Sequence, residues 1–168
     1  MGGISVFILL SILMSMFIVF VVVALVVLAY LLINYIFESI FLYAVSKANH
    51  YKYPIASWIP FYNKCILGKV ADKQGLGKLL CGIDVLVFLL IIISYYATNL
   101  PAGVNTMIFF LIIVLLVLSF IFNIVLSHHI MKKVTGKFVD LLTILNVLTL
   151  GFSRSIILFI IRNQKKLK

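Results

Sequence analysis

Residues 4–37 run without a charged residue, a proline or a glycine, and no later stretch of the chain is so uniformly apolar. One helix through them would be roughly 50 Å long, against a bilayer hydrocarbon core of about 30 Å. No turn residue supports folding the stretch into two spans. The pattern therefore predicts one long first span over residues 1–45, ending near Ser46 and either tilted or running on along the inner leaflet. A mixed segment follows over residues 46–78, carrying Lys47, Lys52, Lys64, Lys69, Lys73 and Lys78. Residues 79–97 are apolar enough for a second span. An uncharged turn with Pro101 and Gly103 leads to a third span over residues 106–131. The last apolar block, 138–161, is interrupted by Asn146, Gly151 and Arg154 and ends in a basic tail over 162–168.

This order predicts an all-α, polytopic membrane bundle forming a single domain. If the second and third spans both cross, the Lys-rich segment and the loop holding Lys132, Lys133 and Lys137 share one side. The positive-inside rule makes that side cytoplasmic and puts the N-terminus outside. A fourth span through 138–161 would carry the basic tail outside, against that rule. Three spans plus two re-entrant or interfacial segments keep every formal charge on one side, and a four-span bundle is the alternative. Non-helical backbone at membrane depth requires cover from other protein.

Composition agrees with this reading. The chain of 168 residues is 65% hydrophobic and 11% charged, whereas soluble domains are nearer half apolar and a quarter charged. A net charge of +10 raises nucleic acid as a partner, but the basic residues cluster beside apolar spans, as in proteins that meet anionic headgroups. Twelve of the 14 are lysine, which suits solvated point charges better than bidentate recognition. Nucleic acid is therefore not expected. Cys65, within the Lys-rich segment, and Cys81, just after it, read as small apolar fillers in a reducing compartment, not as a structural disulfide. The N-terminus lacks the basic region and cleavage site of a secretory signal, so the first span is expected to be retained.

Candidate chemistry is sparse. Asn34 and Glu38 share a helix face in the first span, and Ser119, Asn123 and Ser127 recur every fourth residue in the third. Two such stripes facing each other would make interhelical hydrogen bonds worth on the order of 1 kcal/mol. An intramembrane carboxylate is also a candidate proton or cation site by default. His128 and His129 are adjacent and point about 100° apart, so they cannot clasp one metal together. No phosphate loop, metal cluster or nucleophile motif occurs, and four scattered acids suit no hydrolase. No cofactor, metal or catalytic residue is expected. A membrane enzyme using Asp72, His128 and Arg154 is the weakest of the functional readings.

Residues 34–69 and 119–154 show a faint self-similarity. Lys47 and Lys52 match Lys132 and Lys137, and "NKCILG" (63–68) matches "NVLTLG" (146–151). Each copy would pair a long span with a short elbow, in a parallel repeat. In the first elbow Pro60 disfavours helix at Ile59, so a continuous helix from 54 to 70 would be kinked or broken. Trp58 and Tyr62 suit a headgroup-level aromatic belt, and Lys64 and Lys69 can snorkel to the surface. Asn63 can satisfy backbone groups that Pro60 frees. The second elbow would hold Asn146, Gly151 and Arg154, with Arg154 standing where Lys69 stands in the first and meeting a headgroup.

The segment "KANHYKYPIASWIPFYNKCILGKV" (47–70) resembles a family of bacterial membrane modules, some of which precede a signal peptidase I domain. The resemblance runs through Lys47, Ala48, Ala56, Trp58, Ile59, Pro60, Tyr62, Asn63, Leu67, Lys69 and Val70, with Gly68 inside the same run. It covers about 25 residues and implies a small helical membrane module of no established activity. No peptidase residue carries over. The expected function is a small scaffold or partner subunit of the bacterial inner membrane, C-terminus cytoplasmic. Its basic face (Lys47, Lys52, Lys64, Lys69, Lys132, Lys133, Lys137) would contact anionic lipid headgroups, a protein partner or a second copy. The alternative is a small oligomeric transporter or channel using Glu38 and the Asn/Ser stripes.

Overall fold

The computed structural model describes residues 2–96 and 101–163, and among them the chain is all-α, with six α-helices, two short 3-10 segments and no strand. The helices are α1 (Gly2–Ala48), α2 (Tyr62–Val70), α3 (Gln74–Tyr96), α4 (Ala102–Thr135), α5 (Val139–Leu148) and α6 (Phe152–Ile161). Three stretches are long and apolar enough to cross a membrane: Val6–Ala48, Gln74–Tyr96 and Gly103–Thr135. Helices α5 and α6 have ten residues each, about 15 Å apiece, and neither reaches across 30 Å of hydrocarbon alone. Residues 97–100 of the expected outer turn and 164–168 of the basic tail lie outside the described residues.

By its contacts the chain divides into two units, Met1–Ile36 and Phe37–Lys168. In the first, residues 6–29 are exposed all round and almost wholly apolar. A helix that is apolar on every face suits lipid or neighbouring helices, not water. In the second, α2 packs on α3, α3 on α4, α4 on α5, and α6 touches both α4 and α5. The core gathers Phe41 and Leu42 from the end of α1, Leu67 from α2, Leu80 from α3, Leu126 and Ile130 from α4 and Leu158 from α6, all fully buried.

Three helices stop in the same way. At the end of α1 the Tyr51 N–H donates to Ser46 O, after α2 Lys73 N–H to Gly68 O, and after α5 Gly151 N–H to Asn146 O. Each six-to-one bond encloses a residue at positive φ: His50 (53°), Asp72 (58°) and Leu150 (51°). This is the Schellman stop, which usually places glycine at the left-handed position. Here none of the three is glycine, so each stop carries a local conformational cost.

Pro60 breaks the helix, as its missing donor requires. A 3-10 segment over Pro54–Trp58 ends before it, and α2 starts only at Tyr62. Between them Phe61 adopts φ 66°, ψ −47°, and the Tyr62 N–H donates to Pro60 O at 2.8 Å. That is the rarer, strained, positive-φ form of γ-turn. The Phe61 ring is held against Phe88 of α3, centroids 5.5 Å apart.

Helices α2 and α3 approach closely at Gly68 and Gly77. A Cβ added at Gly77 would sit 2.6 Å from Gly68 Cα, and one at Gly68 2.5 Å from Gly77 Cα. Backbone cannot yield as a flexible side chain would, so the two glycines set the helix spacing. Gly82, also on α3, has nothing within 4 Å of an added Cβ. Gly77→Ala should therefore destabilise the fold by about 1–3 kcal/mol, whereas Gly82→Ala should stabilise it by up to about 1 kcal/mol. Unfolding titrations in mild detergent, followed by Trp58 fluorescence, check both signs.

Candidate functional site

Glu38 is the second residue of the second unit and is 2% exposed. A carboxylate so placed must be paired, because hydrocarbon or close-packed protein solvates charge poorly. Two cations from two other helices meet it. Lys64 Nζ donates to Glu38 Oε1 at 2.7 Å, and Arg154 Nη2 donates to Glu38 Oε2. Arg154 also reaches α4, where Nη1 donates to Asn123 Oδ1 at 2.5 Å. One guanidinium thus ties α6 to both α1 and α4, a fork geometry that a lysine could not supply.

The chain places both cations alike. Lys64 is the third residue of α2, after Tyr62 and Asn63, and Arg154 is the third of α6, after Phe152 and Ser153. A cation in a first helical turn is opposed by the macrodipole, typically by 0.3–1 kcal/mol. The buried carboxylate between the two helix starts offsets that opposition.

Asp84 of α3 accepts a hydrogen bond from Ser119 Oγ at 2.6 Å and acts on Lys64 as a second attractive charge. Burial pushes the Lys64 ammonium below its ordinary pKa, Glu38 pulls it back up, and Arg154 adds to the depression. The half-buried Asp84 thus adds a second negative charge near the Glu38, Lys64 and Arg154 cluster without pairing with it.

The polar stripe of α4 is fully engaged. Beyond Ser119, Asn123 Nδ2 donates to Ser119 O at 2.9 Å and Ser127 Oγ to Asn123 O at 2.6 Å. Glu38 and Asn123 do not meet directly, as two facing stripes would; the Arg154 guanidinium stands between them. Asn34 belongs to the first unit, where its amide donates to Tyr30 O of its own helix.

Several expectations need correction. Lys64 and Arg154, read as headgroup contacts, turn inward because Glu38 would otherwise be buried alone. Lys133, expected on the same surface, is drawn to the end of α2, donating to Val70 O at 2.6 Å and pairing with Asp72 at 2.5 Å. It thereby caps a helix C-terminus, where cations are favoured. Asn63 is buried with Oδ1 unpartnered. The matched "N-x-x-x-L-G" runs also fold differently. Asn63 to Gly68 lies within α2, whereas Asn146 to Gly151 crosses the end of α5. Gly68 is a helix-contact residue, and Gly151, at φ 93°, belongs to a chain turn.

The remaining candidates have separate partners. Trp58 and Tyr62 are exposed at 42% and 43%. Lys47, Lys52, Lys69 and Lys132 are exposed, and the side chain of Lys137 lies outside the described residues. His128 Nδ1 meets Thr143 Oγ1 at 2.9 Å, Asp72 meets Lys133 and Arg154 meets Glu38, so those three do not form one reacting group. Comparison of the chain with protein-family models, curated proteins and solved structures returns no match.

Removing one member of a buried ion pair typically costs 3–5 kcal/mol. Glu38→Gln leaves two cations facing each other and should lose that much, whereas Lys64→Gln leaves the Glu38–Arg154 pair intact and should lose less. A double-mutant cycle on Glu38 and Lys64, read by unfolding in mild detergent, should give a coupling of about 0.5–3 kcal/mol. Additive losses would show that the pair contributes nothing beyond its separate members.

Proposed function

We propose that the chain is a small, non-catalytic scaffold or partner subunit of the bacterial inner membrane. In this reading three spans and two short interfacial or re-entrant segments hold the lysine-rich side in the cytoplasm and the N-terminus outside. Two short helices, α2 and α6, each bring a first-turn cation to Glu38. The resemblance of residues 47–70 to bacterial membrane modules of no established activity agrees with a role in assembly.

One observation carries the proposal: both oxygens of the buried Glu38 carboxylate are taken by cations. A transport or catalytic acid must exchange protons or ions, and a carboxylate held between Lys64 and Arg154 is built to stay charged and in place. Its work is to fix three helices, α1, α2 and α6. The first unit also supports an assembling role, since its apolar helix offers every face to lipid or to other helices.

Affinity purification from membranes in mild detergent should return the chain with a stoichiometric second protein or as a defined oligomer. Reconstituted vesicles should show no ion flux that depends on Glu38. A clean monomer whose cation flux disappears in Glu38→Gln would replace the scaffold with the small-channel alternative. In a background with Cys65 and Cys81 replaced by serine, Lys168→Cys should be labelled only from the cytoplasmic side. Labelling from outside would favour four full spans.

A further inference from the structure

The geometry points to a binding groove for one anionic phospholipid, headgroup included, beside the proline-containing segment 53–62. A cavity of about 620 Å³ opens there, with Lys47 and Lys52 in its wall alongside Tyr43, Tyr53, Ile55 and Ile59. That volume falls within the range of ligand-sized pockets. It suits a phosphate, a glycerol backbone and the first methylenes of an acyl chain.

Charge complementarity selects the occupant. Lys47 and Lys52 are exposed, and neither is paired with a carboxylate among the described residues. Lys133, by contrast, is held by Asp72, and Lys64 by Glu38. Lys52 Nζ lies 5.3 Å from the centre of the Tyr53 ring, a contact that leaves its charge unneutralised, so the groove joins two lysines without carboxylate partners to apolar walls, a pattern that suits an anionic amphiphile. Tyrosine bodies with polar tips suit the depth at which headgroup and acyl chain meet.

Local backbone prepares the arrangement. The left-handed turn at His50, closed by Tyr51 N–H to Ser46 O at 3.0 Å, follows Lys47 and doubles the chain back so that Lys52 comes to the same groove. Pro54 starts the 3-10 segment that presents Ile55, and Pro60 ends the run just after Ile59. The strained turn at Phe61 then returns the chain to α2. The segment's prolines and positive-φ residues accordingly shape a cavity wall as well as a chain reversal.

The inference rests on the reading above that this lysine-rich end lies at headgroup depth, and alkaline extraction of the vesicles tests that placement separately. Trp58, the only tryptophan, is exposed and next to Ile59, so it reports on the groove. The full chain is reconstituted in phosphatidylcholine vesicles containing brominated phosphatidylglycerol or, at equal mole fraction, brominated phosphatidylcholine. The brominated anionic lipid should quench Trp58 more strongly. Its preference should fall roughly fivefold in each of Lys47→Gln and Lys52→Gln, and persist in Lys47→Arg and Lys52→Arg. Lys73→Gln, exposed but not lining the groove, should leave it unchanged.

Equal quenching by the two lipids would overturn the inference. So would an equal loss in Lys73→Gln, which would mean diffuse surface charge. Displacement of the brominated lipid by soluble glycerol phosphate would overturn it in a third way, because the site would then recognise phosphate without the lipid. A chain released by alkaline extraction would instead refute the membrane placement.

Discussion

A carboxylate buried among apolar helices has few stable arrangements, and the one that Glu38 adopts governs how the second unit is built. Each oxygen takes one cation, and each cation comes from the first turn of a different short helix. Helices of nine and ten residues are marginal by themselves. Apolar contacts are non-directional and do not by themselves select which helix ends meet. The core of Phe41, Leu67, Leu126 and Leu158 therefore supplies close packing, while the ion pairs decide which helix starts meet. Arg154, bonded to Asn123 as well, joins the end of the chain to the middle of α4.

Conformational cost accumulates where the chain changes direction. His50, Asp72 and Leu150 take positive φ at three like helix stops, and Phe61 takes it in the tight turn after Pro60. Non-glycine residues occupy such conformations only when surrounding structure over-determines them. Around α2 those constraints can be named: the Gly68–Gly77 approach, the Phe61–Phe88 contact, and Lys133 on Val70 O. A short helix bounded by two strained turns is thus held on three sides, with Lys64 fixed in its first turn.

Much of the architecture could be read along the chain, because hydrophobic run length and helix-breaking residues are local properties. The three long apolar helices, the break at Pro60 and the interruption of the last apolar block all followed from composition over short windows. The end of α1 falls within two residues of the expected Ser46, but the left-handed stops at His50, Asp72 and Leu150 did not follow, since none of the three is glycine. The site was partly visible. Glu38, Asn123 and their neighbours stood out as polar residues at helical spacing inside apolar spans. Lys64 and Arg154 were misplaced because a lysine or arginine near a span's edge has a cheap local option, snorkelling to the headgroups. Inside the apolar runs the acids Glu38, Asp84 and Asp140 outnumber the one base, Arg154, a usable signal that a cation from outside those runs is needed.

What the sequence determined by itself was an apolar, lysine-rich chain whose long helices are set by uninterrupted hydrophobic runs and whose short elbow is broken at Pro60. Those outcomes depend on each residue's own preferences and its immediate neighbours. Only the tertiary structure decided that Lys64 and Arg154 leave the basic face for Glu38, that Lys133 caps α2, and that Lys47 and Lys52 share a groove. Each of these pairs residues on different elements, where the benefit of burying or placing a charge exists only once another element has delivered its partner.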